Sequence, residues 1–105
     1  MKPTQADIDK AKSATDRDLF QIDLGDHAVL VAAPTYQQWR RFMKERMDDA
    51  KKSVALITLA QDCLMWPSRQ DWVLLLDKKP LLGEAVGGKI VELSGADVEP
   101  QAKKL

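Results

Sequence analysis

The stretch from Val54 to Met65 constrains this chain most. Val54, Leu56, Ile57, Leu59, Ala60, Cys63, Leu64 and Met65 leave almost no polar face at helical spacing. A helix that is apolar nearly all round has to lie in the middle of its domain, with other elements packed on several sides. Ser53 suits its N-cap and Pro67 stops it, so a helix is predicted over about 53–65. Each large side chain fully buried there contributes about 1.5–3 kcal/mol of hydrophobic stabilisation. This segment is the expected organiser of the fold, and 105 residues leave room for one such core rather than two.

The flanking sequence supplies what packs on it. Phe20-Gln21-Ile22-Asp23-Leu24 alternates apolar and polar with period two, Gly25-Asp26-His27 gives a turn, and Ala28 to Ala32 is a second apolar run. Together they predict a β-hairpin over 20–33. Pro34-Thr35 then opens a helix over about 35–48. Thr35 and Gln38 form a capping-box pattern, and Tyr36, Trp39, Phe42, Met43 and Met47 define one apolar face. A helix over 68–78 starts at Ser68 with Asp71 in its first turn, and Trp72, Val73, Leu75 and Leu76 form its inward face. Pro80 begins a last helix over 80–94, with Gly95 as its C′ residue. Residues 1–18 read as a polar arm or marginal helix, and 96–105 as a polar tail. Gly87-Gly88 inside the last helix is locally unfavourable by about 1 kcal/mol per glycine, which close helix packing or a kink explains. The expectation is one α+β domain over 19–95, mostly helical, with an N-terminal hairpin on a bundle of about four helices.

Residues with catalytic chemistry are scattered. His27 is the single histidine and Cys63 the single cysteine, so the four ligands of a zinc site are missing and no intrachain disulfide is possible. Cys63 lies in an apolar helix with no base beside it, and Ser53, Ser68 and Ser94 fall at helix boundaries where capping accounts for them. No glycine-rich phosphate loop follows a strand. The expectation is a protein that is not an enzyme and carries no catalytic residue, cofactor or metal. The lone thiol points to a reducing compartment. No stretch is long and apolar enough to serve as a signal peptide or membrane span.

Binding residues are easier to nominate. Arg40, Arg41, Lys44, Arg46, Lys51 and Lys52 form a basic cluster set against Glu45, Asp48 and Asp49. A small DNA-binding regulator would use such a helix surface. A formal net charge of zero argues against nucleic acid, since the long-range attraction is missing. Three tryptophans are more informative. Trp39 and Trp72 fall on apolar faces, whereas Trp66, just before Pro67, stands where one edge reaches the surface. Trp66, Trp39, Met43, Met47 and Met65 are the candidate protein-binding residues, because Met and Trp make adaptable apolar contacts.

The order of elements carries a resemblance. Pro34-Thr35-Tyr36-Gln37-Gln38-Trp39-Arg40-Arg41-Phe42 follows the strand pair, and a buried helix ends in Cys63-Leu64-Met65-Trp66-Pro67-Ser68. Trp72-Val73-Leu74-Leu75-Leu76 leads to Lys79-Pro80-Leu81-Leu82 and a helix closing on Ile90-Val91-Glu92-Leu93-Ser94-Gly95. From about Leu19 to Gly95 this is similar to the tail assembly chaperones of long-tailed bacteriophages, with Trp66 where a smaller residue is more usual. The resemblance implies a non-virion protein of the host cytoplasm that binds the tape measure protein and helps recruit tail tube subunits. It also implies a frameshift-extended form as a partner, since Ala102-Lys103-Lys104 can be encoded by a slippery A-AAA-AAG run. A structural virion completion protein is the remaining alternative.

Overall fold

In a computed structural model describing residues 1–96 and 100–105, the helix-forming and strand-forming runs assemble around one apolar centre. Strands β1 (Leu19–Asp23) and β2 (Ala28–Ala32) pair antiparallel, with Leu19 opposite Ala32 and Asp23 opposite Ala28. All five β2 residues are buried, so β2 is the middle strand. Burying both edges of a strand obliges its backbone N–H and C=O groups to find partners on both sides. The second partner is β3 (Leu64–Trp66), antiparallel to β2 with Trp66 opposite Leu30 and Leu64 opposite Val31.

That third strand corrects the expected helix over 53–65. The segment opens with a 3₁₀ turn (Lys52–Val54), continues as helix α3 (Ala55–Cys63) and leaves helical geometry at Leu64. Ser53 lies inside the turn, and the N-cap position falls to Val54, which makes no side-chain capping bond. Leu64 and Met65 therefore belong to the sheet. Pro67 supplies the local reason, because a residue before proline is pushed towards extended backbone. The inference of centrality holds: α3 packs against β2, against helix α2 (Tyr36–Arg46) and most extensively against helix α5 (Leu81–Val91).

Helix α2 starts where the capping box placed it. The Thr35 Oγ1 accepts from the Gln38 N–H at 3.1 Å, and the Gln38 Oε1 accepts from the Thr35 N–H at 2.9 Å. Its apolar face is shorter than expected. Trp39, Phe42 and Met43 turn inward, but Tyr36 is 68% and Met47 81% exposed, since both lie at helix ends that overhang the core. Helix α4 (Arg69–Lys78) is capped by Ser68, whose Oγ accepts from the Asp71 N–H at 3.2 Å. Trp72 and Leu75 are buried there, while Val73, expected inward, points to solvent because it lies about 100° round the helix from Trp72.

Gly87 and Gly88 separate cleanly. A β-carbon on Gly87 would overlap the carbonyl of Leu56, so α5 crosses α3 with the two backbones in contact. A β-carbon on Gly88 would meet nothing. A wider turn, Glu92–Ala96, prolongs α5 and contains Gly95 at φ +93°, the left-handed conformation expected of a C′ glycine. The N-terminal segment forms a ten-residue helix, α1 (Gln5–Ala14), with its own capping box between Thr4 and Asp7. Of the polar tail, residues 97–99 lie outside the described residues, and 100–105 are exposed without regular structure. The chain is thus α+β and mostly helical, with a hairpin ahead of the helical bundle. Among the described residues no helix is long and apolar enough to cross a membrane.

Candidate protein-binding site

One opening in the surface lies where β3 runs into α4. Pairing with β2 fixes Trp66, and Ser68 fixes the start of α4 two residues later. Helix α1 lies against β3, docked through Ala11, its one buried residue. Between α1 and the β3–α4 junction a cleft of about 390 Å³ remains. Met65 and Trp66 contribute apolar surface to it, with Ala11, and Asp7, Lys10 and Asp71 contribute charge. Met65 and Trp66 are both half-buried, so their apolar faces are held in place yet still reach water. A rigid indole beside an adaptable thioether can receive the apolar stripe of another helix.

The five nominated side chains do not converge on this cleft. Met65 and Trp66 share it. Trp39 lines a separate hollow of about 520 Å³ with Pro34, Tyr36 and Leu93, its ring tilted 38° against Phe42 with 5.3 Å between centroids. Met43 packs on the core from α2, and Met47 projects alone at the end of that helix. Sequence reading missed the contribution of α1 altogether. Its signal was present in Thr4-x-x-Asp7, a helix-start pattern: the Thr4 N–H donates to Asp7 Oδ2 at 2.8 Å, and the Asp7 N–H donates to Thr4 Oγ1 at 3.2 Å.

The remaining polar candidates have local roles. The N-terminal ammonium donates to the Asp26 carbonyl at 3.2 Å and lies 2.9 Å from His27 Nδ1, a contact that needs a neutral ring with its proton on Nε2. Desolvation, followed by the nearby ammonium and Lys79, lowers the His27 pKa from its ordinary value. Burial pushes the Cys63 thiol up to about 11, so almost none of it is the reactive thiolate near neutral pH. Ser94 Oγ donates to the Ile90 carbonyl at 2.7 Å. The basic surface of α2 is partly neutralised, because Arg41 pairs with Glu45 at 2.8 Å and Asp62 at 3.4 Å, and Lys52 with Asp49 at 3.5 Å. Among the described residues no group of three His, Cys, Asp or Glu side chains is placed to hold a metal ion. Compared with known protein families, with curated proteins and with solved structures, the chain matches none.

Proposed function

We propose that this chain is a tail assembly chaperone of the long-tailed phage type. It acts in the bacterial host cytoplasm, binds the tape measure protein and helps recruit tail tube subunits around it. The sequence resemblance from Leu19 to Gly95 suggests the class. The observation that carries the reading is the Met65–Trp66 cleft, which falls on the same Cys63–Ser68 junction that marks the resemblance. A long amphipathic client exposes apolar stripes until the tube encloses them, and a cleft of this kind can mask one stripe at a time. In this reading the protein is a binder, with no catalytic step and no cofactor, and it is absent from the finished particle.

Affinity capture of the tape measure protein tests the proposal. Trp66→Ala should leave the circular dichroism spectrum and melting curve close to the parent and reduce the captured client about tenfold, as expected for loss of an interfacial tryptophan. A folded Trp66→Ala protein that captures the client as well as the parent would sink it. So would the chain's presence, at stoichiometric level, in purified particles.

A further inference from the structure

The sheet has two edges, and they are treated differently. On the β3 side α1 lies close by, and beyond β3 the Ala28 N–H donates to the Met1 carbonyl at 3.0 Å. On the β1 side nothing pairs. The Ala33 N–H donates to the Asp18 carbonyl at 2.8 Å and the Leu24 N–H to the His27 carbonyl at 2.7 Å, which bracket the ladder between β1 and β2. Antiparallel strands alternate their bonding direction residue by residue. Asp18, Phe20, Ile22 and Leu24 therefore face β2, and Leu19, Gln21 and Asp23 aim their N–H and C=O groups outward. Among the described residues no hydrogen bond reaches those six groups.

Natural sheets usually blunt such an edge with a proline, a lysine, a bulge or a covering element. Leu19–Asp23 contains no proline or lysine, and its register with β2 is continuous. Instead of being covered, the edge opens onto a hollow of about 470 Å³. Phe20, Ile22 and Leu24 line it from the sheet, and Ala85, Lys89 and Leu93 from α5 and the turn after it. A strand laid along β1 would send its alternate side chains into that hollow, the arrangement by which sheet edges capture extended peptides.

Charge selects the occupant. Asp16 and Asp18 stand at one end of β1, and Asp23 at the other, with no ion pair to any of the three among the described residues. The nearby cations are engaged: Arg17 donates to the Ala33 and Pro34 carbonyls, and Lys89 pairs with Glu92 at 3.3 Å. A second copy pairing β1 with β1 antiparallel about Gln21 would set each Asp23 opposite the other copy's Leu19, one step from its Asp18, and so would add aspartates to both ends of the edge. We propose that the free edge of β1 is a docking site for an extended segment of a partner protein, with alternate apolar residues facing α5 and lysine or arginine at its ends. This surface is separate from the Met65–Trp66 cleft, and the proposal holds whether or not the chain is a tail chaperone.

Amide exchange of the full chain, followed by NMR, tests it with two short synthetic peptides. Both alternate valine and threonine, and one ends in lysines, the other in glutamates. The lysine-ended peptide should slow exchange at Leu19, Gln21 and Asp23, and the glutamate-ended peptide should not. No protection, equal protection by both peptides, or protection that rises with protein concentration alone would each overturn the proposal. Gln21→Pro removes an outward N–H, which an edge strand tolerates, together with the side-chain amide that donates to Asp23 Oδ1 at 3.1 Å, and should weaken lysine-peptide binding about tenfold or more. Unchanged binding by that variant would also overturn it. If Gln21→Pro does not fold, the exposed double change Asp18→Lys with Asp23→Lys keeps the backbone edge. It should shift the preference to the glutamate-ended peptide, and a retained preference for lysine ends would count against the site.

Discussion

The crossing of α3 with α5 and the cleft between α1 and β3 are built on opposite terms. At the crossing the backbones touch: Gly87 lies on Leu56, and Leu59, Val86 and Ile90 around them are sealed from water. At the cleft, α1 buries a single residue, Ala11, and leaves Met65 and Trp66 half-covered around open space. Close-packed backbones admit no alternative arrangement, so the crossing carries the cooperative stability of the domain. A thinly packed covering helix can shift or fray at much lower cost, which is the property a binding surface needs. In the proposed reading, folding and binding fall to different parts of one small chain.

A large effect that could break this contrast is expected at Gly87. Gly87→Ala has to displace the Leu56 backbone rather than a side-chain tip, and it should destabilise the protein by about 3 kcal/mol, the upper end of the usual overpacking range. Gly88→Ala, one residue on, meets open space and should stabilise by about 0.5–1 kcal/mol through helix propensity. Urea unfolding of the two variants measures both. Shifts of equal size or the same sign would mean that α3 and α5 are not interlocked.

The two capping boxes sharpen the contrast at lower amplitude. Gln38 not only completes the Thr35 box but also reaches the Asp62 carbonyl at 3.4 Å, tying α2 to the end of α3. The Thr4 and Asp7 side chains bond only within their own box, on the exposed start of α1. Thr35→Ala should therefore lower global stability by about 1–2 kcal/mol. Thr4→Ala should lower the global midpoint by less than about 0.5 kcal/mol, the low end of cap losses, while faster amide exchange is confined to α1. Equal shifts in the melting midpoint would place α1 inside the cooperative core.

What could be read beforehand follows the same division. The apolar circumference of Val54–Met65 announced a central helix, Thr35-x-x-Gln38 announced the start of α2, and the alternation at Phe20–Leu24 announced the hairpin. These are local patterns with one physical solution. The third strand was hidden because Leu64-Met65-Trp66 continues the helical run without a break in hydrophobicity. Only the burial of β2 on both edges and the proline at 67 pull it into the sheet. The exposure of Tyr36 was equally out of reach, since it depends on how far the helix end overhangs the core, whereas that of Val73 follows from its angle to Trp72 on the helix. Of the candidate cleft, Met65 was nominated from its residue type, and Trp66 from its residue type and its place just before Pro67. Asp7, Lys10 and Ala11 were not, because their approach to β3 is a long-range contact that no local pattern encodes.

A small change in stability is expected at Trp66, and it separates the two regions most directly. Trp72, six residues further on, is 1% exposed, and its indole N–H is buried without a hydrogen-bond partner among the described residues. Trp66 keeps part of its ring in the cleft beside Met65. Truncating Trp72 to alanine removes a filled core volume and should cost about 3–5 kcal/mol, whereas Trp66→Ala should cost about 1 kcal/mol or less, since much of the ring is not packed. Fluorescence reads the difference without unfolding. In single-tryptophan proteins made by Trp→Phe exchange at the other two positions, acrylamide should quench Trp66 strongly and Trp72 hardly at all. The quenching of Trp66 should fall when a client segment occupies the cleft. Equal quenching of the two would show that α1 seals the cleft as tightly as α5 seals the core, and binding would then require α1 to move aside first.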